Sequence, residues 1–172
     1  MKRLSIFTLM LLALVSLIAG SAMTQEKPKA TFVGDAKCKM CHKDNHASWL
    51  ETKHAKAFSL LKPEEQKKPE CVKCHMTGTT AENVTLEGVQ CEACHGAGSE
   101  YKKPTIMSKA KYAADKVAAR KVAIEAGLVV PTAEVCTKCH TKEGNPNFKE
   151  FDFAKSKGSV HPAKAAAPAP SK

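Results

Sequence analysis

Cys38-Lys39-Met40-Cys41-His42, Cys71-Val72-Lys73-Cys74-His75, Cys91-Glu92-Ala93-Cys94-His95 and Cys136-Thr137-Lys138-Cys139-His140 are four copies of one pattern, and its reading decides the fold. Together they use all 8 cysteines of the chain. C-x-x-C-H is the attachment signature of c-type haem. Each thiol adds across one vinyl group, the two-residue gap lets both sulfurs reach one macrocycle, and the next His turns under the ring to give iron its proximal nitrogen. Zinc ribbons also pair C-x-x-C, but they do not require the next residue to be His. With 7 His in 172 residues, a His follows a given position about 0.04 of the time, so four successes by chance are on the order of one in a million. Neither a zinc site nor a redox dithiol or disulfide framework requires the four histidines. The reading is therefore four covalently bound haem c groups, with Cys38, Cys41, Cys71, Cys74, Cys91, Cys94, Cys136 and Cys139 as attachment points and His42, His75, His95 and His140 on iron.

Outward from the motifs, the N-terminus agrees. Lys2 and Arg3 precede a 16-residue apolar run, Leu4 to Ala19, and the small residues Gly20, Ser21 and Ala22 follow. This is the layout of a secretory signal peptide over 1–22, cleaved after Ala22. The run is short for a membrane span, and no cysteine stands near the cleavage point to take a lipid. Bacterial haem attachment takes place outside the cytoplasmic membrane. The motifs and the leader therefore name one place, the periplasm or the outer surface beyond it, with membrane contact only through partners.

The formal charge of +10 falls to +8 when Lys2 and Arg3 leave with the leader. Four haems bring about −8 in propionates and about +1 per ferric core, so the loaded protein is close to neutral when reduced. The lysines then read as propionate partners and a solvated surface. They are scattered and aromatics are only 5% of the chain, which argues against nucleic acid as a partner.

The mature length is that of one domain. One haem per roughly 37 residues leaves little room for an independent sheet or second domain. The expected fold is mainly α with long loops, a compact multihaem cytochrome c in which haems replace much of the core. Residues 23–30 read as a flexible leader, 31–162 as the tetrahaem domain and 163–172 as a disordered Ala/Pro tail. The motif intervals of 33, 20 and 45 residues show no repeat beyond the motif itself. Ala47, Leu50, His54, Ala57, Phe58 and Leu61 recur at helical spacing before Pro63, which predicts a helix from Asn45 to Leu61. Residues 76–90 read as a loop, with one short strand at Val84-Thr85-Leu86. A second helix is expected over 108–126, with Ser108 as N-cap and Gly127 past its end. Its Ala110, Ala113, Ala114 and Ala118 are first helix formers; they would also allow close approach to a haem plane.

Four of the 7 histidines are proximal, which leaves His46, His54 and His161 for four distal positions. At least one iron must be five-coordinate, take water, Met, Lys or Tyr, or borrow a ligand from another subunit. His54 stands on the apolar stripe of the expected helix, where a His needs a reason. Twelve residues of helix would span about 18 Å, so His54 cannot serve the haem of His42. His161 lies 21 residues after the last motif, and the ligand shortage favours it as a distal ligand. His46, four residues after His42, shares its helical face and cannot be trans to it on one iron. It can reach a neighbouring haem, donate to a propionate, or stand exposed.

Cys38-x-x-Cys-His42, Ser48-Trp49 and Thr52-Lys53-His54-Ala55-Lys56-Ala57, with Gly88-Val89-Gln90-Cys91-Glu92-x-Cys94-His95-Gly96-x-Gly98, resemble the tetrahaem cytochrome c electron carriers of ammonia-oxidising bacteria. Hydroxylamine oxidoreductase and pentahaem nitrite reductase look like larger relatives. The resemblance runs over roughly 31–162, poorly over 97–135. It implies three bis-His haems and a five-coordinate haem at His75, with His54 opposite His95 and His161 opposite His140. It also implies a distal His for the first haem shortly after the third motif, where this chain has Tyr101. Tyr101, Met107, a lysine, His46 of a neighbouring subunit, or nothing would then fill that position.

The function expected is electron transfer between redox proteins, a donor and an acceptor, along closely packed haems, and the chain reads as a carrier rather than an enzyme. A small redox enzyme acting on nitrogen oxides at an open iron is the rival, with Thr77, Thr79, Thr80 and Glu82 as the few polar candidates. A conductive assembly, with a distal ligand supplied in trans by an oligomer, is a third reading.

Overall fold

The structure, a computed structural model, describes residues 29–161. The expected signal peptide, nearly all of the leader and the expected tail lie outside the described residues. Short helices dominate: α1 (Asp35–Lys39), α2 (Lys43–Leu50), a 3-10 turn (Phe58–Leu60), α3 (Pro69–His75), α4 (Cys91–His95), α5 (Lys109–Ala114), α6 (Lys116–Glu125), α7 (Ala133–Thr137), α8 (Phe153–Ser156) and a final 3-10 turn (Lys157–Ser159). One hairpin, β1 (Met76–Thr79) with β2 (Thr85–Glu87), follows α3.

The motifs explain the shortness of the helices. In C-x-x-C-H the cysteines are i and i+3 and the His is i+4, so a single helical turn puts all three on one face. The second motif ends α3 and the third is the whole of α4. In the first and fourth, the His N–H closes the same turn on the first cysteine's carbonyl: His42 N to Cys38 O at 2.9 Å and His140 N to Cys136 O at 3.0 Å. One turn is all the chemistry requires.

The expected helix 45–61 is cut. α2 ends at Leu50, and 51–57 runs as turns. Thr52 ends it: its N–H donates to Trp49 O at 2.8 Å and its hydroxyl to the same carbonyl at 2.7 Å, while Ala55 N donates back to Thr52 Oγ1 at 3.3 Å. A threonine side chain has taken over a carbonyl the helix would have used. His54 therefore leaves the helix stripe on which it was expected, and the helical separation from His42 no longer applies.

The second expected helix is two. Ser108 caps α5, its hydroxyl accepting from Lys111 N at 3.4 Å. Asp115, in extended conformation, ends α5 and caps α6 by accepting from Val117 N at 2.9 Å and Ala118 N at 3.0 Å. At the far end, Gly127 N bonds to Ile124 O and Leu128 N to Ala123 O, both at 2.9 Å, with Gly127 at φ 101°. This is a Schellman end, and it needs the left-handed residue that glycine supplies. Ala110, Ala113, Ala114 and Ala118 are all exposed.

The expected loop 76–90 is a hairpin with a bulge between Met76 and Gly78, and Phe32 bridges to Thr80 beside it. The strand read at 84–86 sits one residue later. Side-chain packing is thin. The buried hydrophobic residues among those described are Trp49, Ala57, Leu86, Tyr101 and Ala123.

Candidate haem centres

The four motifs meet in space in an order that differs from the chain order. Cys38 and Cys91 are neighbours, and their interaction raises Cys38 and lowers Cys91. Burial, then the neighbouring Cys74 thiol, pushes Cys139 up to about 12. Cys94 is raised by burial and by the neighbouring Cys136. The first motif thus lies near the third, the third near the fourth, and the fourth near the second. Thiols of different motifs lie together, which is the reverse of a within-motif dithiol. A cavity of about 830 Å³ is lined among others by Cys74, Cys94, Cys136, Cys139, His54 and His140. It lies in the range of a large prosthetic-group site.

The histidines divide by which ring nitrogen is engaged. Nδ1 of His75 donates to Ala57 O at 2.7 Å, and Nδ1 of His95 to Val129 O at 3.2 Å. A metal-binding His commonly ties its outer nitrogen to a carbonyl in this way, leaving the other for the metal. His46 is committed at the opposite nitrogen: its Nε2 lies 2.6 Å from Asp35 Oδ2, and its side chain is 7% exposed. It also packs on Trp49, ring centres 5.5 Å apart.

Two pairs of histidines far apart in sequence stand out. His95 and His161 face each other at 6.3 Å between ring centres with planes 22° apart. His54 and His140 are 6.0 Å apart. An imidazole–metal bond is about 2.0–2.1 Å, so one iron between two imidazole nitrogens sets ring centres roughly 6.4 Å apart. Both pairs fit. Burial, with a smaller contribution from the facing His, lowers His54 and His95 below the ordinary imidazole value, which favours the neutral form that binds metal. Nδ1 of His161 is buried and has no hydrogen-bond partner among the described residues. Among those residues no three His, Cys, Asp or Glu side chains converge on one point.

The pairing differs from the one the resemblance implies. His54 faces His140, not His95, and His161 faces His95, not His140. The segment carrying His54 is fixed by Val89, whose N–H donates to His54 O at 2.9 Å and whose carbonyl accepts from Trp49 Nε1 at 2.9 Å. Gly88 N bonds to His75 O at 3.1 Å. A Cβ on Gly88, at φ 77°, would lie 2.6 Å from Ala55 O, so only glycine allows this approach.

Tyr101 is buried, and its hydroxyl donates to Gly96 O at 3.0 Å. Burial, the largest cause, raises its pKa and keeps it a neutral phenol. Thr77 and Thr80 are spent on the hairpin: Thr77 Oγ1 donates to Gly88 O and accepts from Gln90 N, and Thr80 Oγ1 accepts from Glu82 N and Val84 N.

Glu92 went unnoticed in the sequence. It is 1% exposed, and its carboxylate accepts from Val33 N, Gly34 N at 2.8 Å and Gly98 N at 2.6 Å. It clamps the entry to the first motif onto the third. As one of the two variable residues of a motif it carries no local signal, because its three donors come from distant or turned backbone.

Comparison with known proteins places the chain in a family. The family model described as cytochrome c554 and c-prime matches residues 37–96. Cytochrome c-554 of Nitrosomonas europaea is 31% identical over 160 residues, covering 78% of this chain and 67% of that protein. The solved structure of the reduced state of cytochrome c554 from Nitrosomonas europaea superposes with a TM-score of 0.53 at 27% identity, over 76% of this chain and 78% of that one. With its four attachment motifs brought into one contiguous set, the chain belongs to the cytochrome c554 family, the c-type cytochromes with covalently attached haem.

Proposed function

We propose that the protein is a periplasmic tetrahaem electron carrier in which His42, His75, His95 and His140 are proximal ligands, His54 is distal to His140 and His161 is distal to His95. The observation that carries this is the pair of facing imidazoles at 6.0 and 6.3 Å. Haem c supplies a one-electron iron couple when bound. The chain's part is to hold that couple in a fixed setting. Carbonyls of Ala57 and Val129 orient His75 and His95 through Nδ1. Paired imidazoles keep the ligand set unchanged with redox state and favour low potentials. Motifs packed in the order first, third, fourth, second place the attachment sites in one continuous series. Other redox proteins serve as donor and acceptor, and the leader read at 1–22 supports the periplasm. Among the described residues no helix is long and apolar enough to cross a membrane.

The test is a reductive titration of the purified holoprotein beside its denatured mass. Four haems retained on the chain, four electrons taken up, and two low-spin ferric irons of bis-imidazole type are expected. Bare polypeptide mass, or no bis-imidazole signal, would overturn the reading.

A further inference from the structure

We infer that the outward face of α6, with Tyr112 of α5, is the docking surface for an acidic redox partner, a folded protein that sets carboxylates around an apolar side chain. The inference rests on the electron-carrier reading and adds the place where a partner binds.

α6 is amphipathic in the inverse sense. Ala119, Ala123 and, just past its end, Ala126 recur at i, i+4 and i+7, and they form its buried and half-buried side. Val117, Lys121 and Ile124 recur at the same spacing on the opposite side. Val117 is 80% exposed, and Ile124 and Tyr112 are each 47% exposed. Small residues therefore face the molecule while larger apolar ones face solvent. Val117, Ile124 and Tyr112 line one groove together with Lys116, Arg120 and Lys121. Apolar residues gathered in one patch and rimmed by charge mark an interaction site, which scattered single ones do not. None of these six lines the cavity that contains Cys74, Cys94, Cys136 and Cys139, so the patch is separate from those attachment points.

Charge selects the occupant. Three cations line the groove against one carboxylate, that of Glu125. Among the described residues Lys116, Arg120 and Lys121 make no ion pair. A protein surface that presents carboxylates around an apolar side chain complements both the cations and the groove they rim. A second copy meeting this face in a two-fold contact would set the cations against their own kind. Residues 162–172 carry two lysines and no acidic side chain, and residues 23–28 balance one Glu with one Lys, so neither segment complements the groove. α5 and α6 hold no Trp, Phe or Leu, the residues that seat an interfacial helix in a bilayer.

The face is also joined to a haem attachment turn. Just past α6, Gly127 O would lie 2.9 Å from a Cβ on Gly96. Val129 N donates to His95 O at 2.8 Å, and Val129 O accepts from His95 Nδ1 at 3.2 Å. Residues 127–129 thus tie the end of the docking helix to α4, which carries the third motif.

The test uses the mature four-haem holoprotein and, as probe, a flavodoxin of strongly negative net charge, with both proteins oxidised so that nothing reacts. Calorimetric titration at low ionic strength should give one-to-one binding that weakens as salt is raised. Lys116→Glu, Arg120→Glu and Lys121→Glu together should weaken it at least roughly tenfold and flatten the salt dependence. Val117→Ser with Ile124→Ser should weaken it severalfold and leave the salt dependence unchanged. Absence of binding, or a charge-reversed variant with four haems and wild-type affinity, would overturn the inference and leave the electron carrier standing. So would a holoprotein that sediments as a dimer which Val117→Ser with Ile124→Ser dissociates, or one that binds phosphatidylglycerol vesicles and not flavodoxin. A holoprotein that takes up no electrons from dithionite would end the carrier reading itself.

Discussion

At the scale of the residue, the engaged ring nitrogen separates His46 from the histidines proposed as ligands. His46 gives Nε2 to Asp35, whereas His75 and His95 give Nδ1 to carbonyls and keep Nε2. Replacing His54 or His161 with Met should each remove one bis-imidazole low-spin signal from the ferric resonance spectrum, and the double variant should remove two. A single variant that removes both would mean the two share an iron. Glu92 makes a different claim. Its buried carboxylate accepts from three backbone N–H groups, and Glu92→Gln would turn an NH2 donor toward at least one of them. The loss of a charged acceptor and the orphaned donor together cost about 2–3 kcal/mol, read as a lower denaturation midpoint with haem spectra unchanged.

At the scale of the element, what could be read in advance follows from how local each signal is. Ser108 and Gly127 were legible as helix ends because capping chemistry lies within a few residues. Asp115 was hidden inside an otherwise helical pattern, and its effect depends on its extended backbone, which the pattern does not show. Asp115→Ala should cost about 1 kcal/mol, seen as faster amide exchange at Val117 and Ala118. The run to Leu61 carried apolar residues at helical spacing, yet Thr52 cut it by taking the Trp49 carbonyl. The four motifs were fully legible because one turn encodes them. The partners of His54 and His161 were not, since they depend on how Val89 and the segment after α8 are placed from far along the chain.

At the scale of the whole molecule, the described side chains make only a thin core. Burying a Trp, Leu or Tyr is worth roughly 1.5–3 kcal/mol each, while ordering a residue costs about 1–2 kcal/mol. Trp49, Ala57, Leu86, Tyr101 and Ala123 cannot offset the ordering of residues 29–161 on those terms. Haem surface must supply the rest, as metals and disulfides do in other chains short of apolar core. Chain produced without haem attachment should therefore show no cooperative thermal transition by circular dichroism. The contribution should also depend on position in the spatial series. The third motif lies near both the first and the fourth, with Cys91 beside Cys38 and Cys94 beside Cys136. The second lies near the fourth, with Cys74 beside Cys139. Replacing Cys91 and Cys94 with Ser removes a haem from the middle of the series, whereas replacing Cys71 and Cys74 removes one from its end. The first pair of substitutions should lower the guanidinium midpoint of the remaining three-haem protein further than the second. Equal midpoints would mean that each haem stabilises only its own segment, and that the motifs are neighbours without a shared core.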